Sequence, residues 1–206
     1  RQRQMCIRDS PYTSTIVENK NEQTLQQCTS NNNTEIQPFA IVKSFDTTKG
    51  IAYATKYATK RNTPTYYSFS RGDCANFTSQ ILENGGVKQV VYDSEAKGWW
   101  HTTKSILGIK THKHSQSWSM ADTFARYMGV SNKTKTHKTF AANVRAGDFI
   151  TLDRTSDGDW DHMGFVTTKD NYVGSYGYYD YKVAQHTTDY HAWASSSTNN
   201  WDTYNN

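Results

Sequence analysis

Gly72-Asp73-Cys74-Ala75-Asn76-Phe77-Thr78-Ser79-Gln80-Ile81-Leu82-Glu83-Asn84-Gly85-Gly86 is the stretch on which the fold turns. Phe77, Ile81 and Leu82 recur at helical spacing, Gly85-Gly86 ends the run, and Asp73 stands where a carboxylate can cap free amides. Cys74 therefore falls in the first turn of a helix. There the N–H groups are unpaired and the dipole presents its positive end, and both favour a thiolate over a thiol. The same amides can hold the oxyanion of a tetrahedral intermediate. The competing reading is a small buried hydrophobe packed with Phe77 and Ile81.

Outward from this helix, 206 residues are the length of one domain, and the 39–194 segment is its expected extent. Hydrophobic residues make up only 35%, but 14 Tyr and 6 Trp supply large rings for a core. The net charge is +4 with no basic run, which argues against a nucleic-acid partner. No apolar stretch is long enough to insert in a membrane. Cys6, Cys28 and Cys74 form no CxxC pair, so neither a disulfide framework nor a zinc knuckle is expected. Residues 1–10 (RQRQMCIRDS) resemble a translated sequencing-adapter fragment and are set apart from the fold, which would leave the native amino terminus outside this chain. Residues 11–38 read as a polar leader or linker, and 195–206 as a polar tail.

Ile51, Ala54, Tyr57 and Ala58 mark a short amphipathic helix that Asn62 and Pro64 end. A third helix is expected from Ser119, with Asp122 at the position of a capping box and Gly129 at its end. Strands are expected at 148–152, 162–168 and 181–186. Helices first and antiparallel strands after is an α+β order.

A thiolate needs a proton acceptor, and His162 in Asp159-Trp160-Asp161-His162-Met163-Gly164 opens an expected strand, well placed to lean over a helix terminus. His112 and His114 form an HxH pair, but Lys110 and Lys113 beside them make a basic loop the better reading, and no metal is expected. Trp99, Trp100, Trp118 and Trp160 could line a groove, although the core is the first place for them.

The run 72–86, with Ser-Gln-Ser-Trp-Ser at 115–119, Arg-Ala-Gly-Asp-Phe-Ile-Thr-Leu at 145–152 and Asp-His-Met-Gly-Phe-Val-Thr-Thr at 161–168, resembles the Putative amidase domain family, related to NlpC/P60 and CHAP peptidases. In that family Asp-Cys-x-Asn-Phe-x-Ser-Gln opens the nucleophile helix, and Asp73, Cys74, Asn76, Phe77, Ser79 and Gln80 match it. The resemblance runs from about Ile51 to about Tyr190. It implies a papain-like cysteine peptidase fold, with amino-terminal helices packed on a small antiparallel sheet. It implies Cys74 as nucleophile, His162 as base, and a third residue on the next strand, His186 or Asp189. Tyr67, Asp73, Trp118 and Asp161 are the expected substrate-binding residues. The resemblance further implies a secreted or cell-surface monomer that needs no cofactor and cleaves an amide or peptide bond, with bacterial wall peptide the implied substrate. The thiol is expected to be acidified into roughly the 3.5–7.5 range. The alternatives are a catalytically silent module that binds wall peptide or glycan on the same fold, and a zinc-dependent hydrolase.

Overall fold

The computed structural model describes residues 3–7 and 44–201, apart from 108, 131, 176 and 200. The leader at 11–38 and Cys28 lie outside the described residues. Helix α1 (Thr47–Tyr57) starts at Asp46, whose carboxylate accepts from Lys49 N–H at 3.1 Å. Helix α2 (Cys74–Asn84) is the central element, buried continuously from Cys74 to Leu82. A hairpin follows, β2 (His101–Ile106) and β3 (Ile109–His114), then α3 (Gln116–Ser119) and α4 (Ala121–Met128). The rest comprises β4 (Asn132–Thr134), α5 (His137–Asn143), β5 (Phe149–Asp153), β6 (His162–Val173), β7 (Tyr178–Gln185) and β8 (Tyr190–Trp193).

Mixed α and β with antiparallel sheets is the architecture. The large sheet has the order β4-β1-β5-β6-β7-β8, where β1 (Arg3–Ile7) comes from the segment set apart in the sequence and pairs with β4 and β5. β2 and β3 form a separate two-stranded sheet, so His112 and His114 lie on a strand and not in a basic loop. The third helix is split. Ser119 closes α3, Met120 precedes α4, and Asp122 spends its carboxylate on Arg126 and the N–H of Trp160 instead of a capping box.

Strand alternation divides the interior into two cores, one on each face of the large sheet. Phe149, Met163, Phe165 and Ala184 face α1, α2 and α4 together with Trp99, Trp118 and Trp160. Ile150, Leu152, Val166, Tyr181 and Val183 face the other way, against Phe140, Ala141 and Val144 of the α5 region. Trp201, in the expected polar tail, belongs to this second core and is 1% exposed.

Phe45 shows how tightly α1 and α2 meet. A Cβ on Gly50 would stand 2.3 Å from the ring of Phe45, and one on Gly85 2.1 Å from it. Both glycines therefore serve as clearance for one aromatic ring, which also packs on Phe149 at 5.3 Å between centroids. Gly50→Ala is expected to overpack this junction and lower unfolding free energy by about 1–3 kcal/mol in urea titration, with an unchanged m-value. An unchanged midpoint would mean that the ring moves aside freely.

Candidate active site

The Asp-Cys-x-Asn-Phe-x-Ser-Gln run builds a scaffold around one sulfur. Asn76 donates to Tyr67 O and to Asp73 Oδ1, both at 2.9 Å, and accepts from the indole N–H of Trp118. Ser79 donates to Trp118 O and accepts from Trp99 Nε1. Gln80 accepts from the Tyr53 hydroxyl at 2.9 Å and so ties α2 to α1. Trp118 is thus a buried scaffold residue, 2% exposed, and not a cleft wall.

Asp73 does not cap α2 through its side chain. Its carboxylate turns inward at 1% exposure, accepting from Phe69 N–H, Asn76 Nδ2 and His186 Nδ1, with Arg61 3.5 Å away. The residue expected from the sequence to bind substrate thus has its carboxylate engaged inside the protein. His186 is sandwiched in the same network. Its Nδ1 lies 2.6 Å from Asp73 Oδ2, its Nε2 2.9 Å from the Tyr57 carbonyl, and its ring stacks on Phe77 at 3.8 Å. Both ring nitrogens face acceptors, so both are placed to donate. Asp189 is bound bidentately by Arg61, which holds its carboxyl below the ordinary range against the opposing effect of burial.

The residue that meets His162 is Gln185, whose Oε1 lies 2.8 Å from Nε2. Trp201 Nε1 reaches the same oxygen at 2.8 Å, while Gln185 Nε2 donates to Thr188 O. An indole N–H can only donate, so the shared atom must be the amide oxygen and His162 Nε2 must carry the proton. That leaves Nδ1 with a lone pair, the tautomer a base requires. Neither His186 nor Asp189 occupies this position. Successive strand residues point to opposite faces, so Gln185 joins Trp201 on one side while His186 turns to α2 on the other. A sequence pattern that finds the end of β7 leaves this one-residue choice open.

Cys74 is the first residue of α2, and its sulfur lies among the N–H groups of Cys74, Ala75 and Met163 and the hydroxyl of Thr187. Met163 directly follows His162. These donors favour the thiolate, but burial outweighs them and pushes the thiol above its ordinary value, contrary to the acidic thiol expected from the sequence. Burial likewise pushes His162 down to about 4, aided by the Arg154 charge and opposed by the Gln185 bond. Both groups rest uncharged near neutral pH, and among the described residues no hydrogen bond joins the sulfur to the ring. A cleft of about 140 Å³ opens beside the imidazole, lined by His162, Gln185, Thr187, Tyr190, Trp201 and Arg154. Gly164 makes room for its wall, since a Cβ there would lie 2.9 Å from Trp201 Cζ2.

Tyr67 is 48% exposed beside Phe69 and His112, on the loop leading to α2. Asp161 is exposed and accepts from Arg154 N–H at 2.5 Å. His112 and His114 bond to Thr103, Ser115 and Ser119, and among the described residues no group of three or more His, Cys, Asp or Glu is arranged to hold a metal. No helix among the described residues is long and apolar enough to cross a membrane.

The chain belongs to the Putative amidase domain family, which matches residues 44–206. It is similar to the uncharacterized protein YhbB of Bacillus subtilis (strain 168), with 30% identity over 138 residues, 66% of this chain and 41% of that protein. The chain thus aligns with less than half the length of that relative. No solved structure matches the chain.

A pH dependence of stability follows from two buried imidazoles. His137, within 2.9 Å of the Tyr181 hydroxyl, is also pushed down to about 4 by burial. The unfolded chain binds protons at these sites near pH 6.5, whereas the folded chain binds them only near pH 4. Stability is therefore greatest above pH 6.5 and falls as pH drops toward 4. His137→Gln, which keeps an acceptor for Tyr181, is expected to remove roughly half of this slope in urea titrations across that interval. An equal slope in the variant would show that His137 is not held neutral.

Proposed function

We propose that this domain is a papain-like cysteine hydrolase of amide or peptide bonds, with Cys74 as nucleophile, His162 as base and Gln185 as the residue that orients the base. Membership of an amidase family supports amide hydrolysis. The observation that carries the finer reading is the tautomer: the Gln185 and Trp201 contacts leave His162 Nδ1 bare, at the strand end beside the nucleophile helix. The order of a cysteine at a helix start, a histidine opening one strand and an amide ending its neighbour supports a papain-like arrangement.

In this mechanism His162 Nδ1 takes the thiol proton as Cys74 Sγ attacks the carbonyl carbon, and amides at the start of α2 receive the oxyanion. The imidazolium then protonates the leaving amine and a thioester remains. Water attacks the thioester as Nδ1 removes its proton, the acid departs, and the proton returns to the sulfur. Because both groups start uncharged, the base works by proton transfer during attack and not from a preformed ion pair. The sulfur and ring must close their gap when substrate binds, as is common for catalytic hydrogen bonds that are long in a free enzyme.

Wall peptide is the substrate we infer, and a secreted or surface location follows from it. Both rest on the resemblance to NlpC/P60 and CHAP peptidases. Tyr67 and Asp161 remain candidates to touch substrate because both are exposed near the site. The buried, uncharged thiol favours one rival, a silent module that holds the same ligands. Amine release by the parent chain, lost in Cys74→Ala, decides between them.

Cys74→Ala and His162→Ala are expected to abolish release of new amines from purified bacterial wall. Gln185→Ala should lower kcat more than tenfold, a loss of about 1.4 kcal/mol, while Asp189→Asn should act on stability through Arg61 and leave kcat within about twofold. Retained turnover in Cys74→Ala, or a harmless Gln185→Ala, would overturn these roles. The acid limb of kcat/KM should fall with protonation of His162, centred near pH 4. A limb centred near 6.5 would show that the imidazole is not held in the neutral state described.

A further inference from the structure

The loop joining β7 to β8 holds Thr187 at φ +93°. Side chains rarely occupy this half of backbone space, β-branched ones least of all, and glycine is the residue that fits it. Seven glycines of the described residues take positive φ, Gly72 and Gly86 on either side of α2 among them. A threonine stays in such a conformation only where neighbouring contacts over-determine it.

Those contacts converge on the nucleophile. Thr187 Oγ1 accepts from the N–H of Asp73, the residue before Cys74, at 3.1 Å. The hydroxyl also lies beside the Cys74 sulfur, and Thr187 lines the cleft with His162 and Gln185. With a lone pair engaged by Asp73 N–H, the hydroxyl retains its own proton to donate, and the sulfur is the acceptor beside it.

We propose that Thr187 is a further catalytic residue, whose hydroxyl donates a hydrogen bond to the sulfur of Cys74 and holds the thiolate as it forms. This rests on Cys74 being the nucleophile. No atom is transferred at Thr187: the thiol proton passes to His162 Nδ1, and Thr187 keeps its own. The strained backbone is the means of placement. Neighbouring residues of the same loop are engaged elsewhere, Gln185 with His162, His186 with Asp73 and Asp189 with Arg61. Of the two threonines between His186 and Asp189, Thr187 is the one whose hydroxyl meets the N–H of Asp73 and lies beside the sulfur.

The test is the ionisation of Cys74 in the full chain, followed by thiolate ultraviolet absorbance as the difference from Cys74→Ala, and by the rate of iodoacetamide labelling at the Cys74 peptide. Thr187→Val keeps size and branching but lacks the proton. It should move the thiol midpoint upward by about one pH unit, about a tenfold loss of thiolate on the rising part of the curve. Thr187→Ser should stay within about twofold of the parent. Thr187→Gly relieves the backbone as well as removing the hydroxyl, so it should show the same upward move with a melting temperature no lower than the parent's. A merely structural threonine would show the reverse, with thermal stability changed and the thiol midpoint unmoved. Unmoved midpoints in both Thr187→Val and Thr187→Gly overturn the proposal. Failure of the nucleophile assignment is separately visible, as undiminished amine release by Cys74→Ala.

Discussion

The buried carboxylate of Asp73 is the interaction on which the rest of the site depends. It gathers the N–H of Phe69, the amide of Asn76 and the ring of His186, with Arg61 close by. The 69–76 stretch, Arg61 after α1 and His186 after β7 thereby meet at the start of α2. A buried charge left without partners is expensive, so this carboxylate enforces its own geometry on each stretch. Its backbone N–H donates to the Thr187 hydroxyl. The position of Cys74 is thus set by its predecessor in the chain.

The site is assembled across the sheet rather than on one face of it. α2 and His186 lie on one side and Gln185 with Trp201 on the other, while His162 opens β6 and bonds Gln185, and the next residue, Met163, reaches the Cys74 sulfur through its N–H. A strand end lets adjacent residues of β6 reach the two groups, because the sheet no longer separates the two cores there. Gly164, next but one, permits the close approach of Trp201, whose indole N–H shares the Gln185 oxygen with His162.

What could be seen in the sequence divides along physical lines. The helix beginning at Cys74 and the strand beginning at His162 were legible because apolar spacing and glycine stops act locally. The partner of the His162 ring was not, because Gln185 and His186 differ by one position and only tertiary packing decides which faces the imidazole. The hairpin of β2 and β3 was hidden because its strands carry lysine, threonine and histidine, with no apolar alternation to mark them. Trp201 was hidden among polar neighbours, although a lone tryptophan in such a segment is itself a signal of docking. The position of the thiol at a helix terminus was legible, but the burial that outweighs the terminus was not, since desolvation depends on what other elements bring over it.

The uncharged resting state of Cys74 also bears on its durability. Peroxides and related oxidants attack thiolates, and the ladder from sulfenic to sulfonic acid begins with that form. Cys74 is 6% exposed and burial keeps its thiol protonated, so it offers such oxidants little to react with. A cysteine held this way is shielded from oxidative loss.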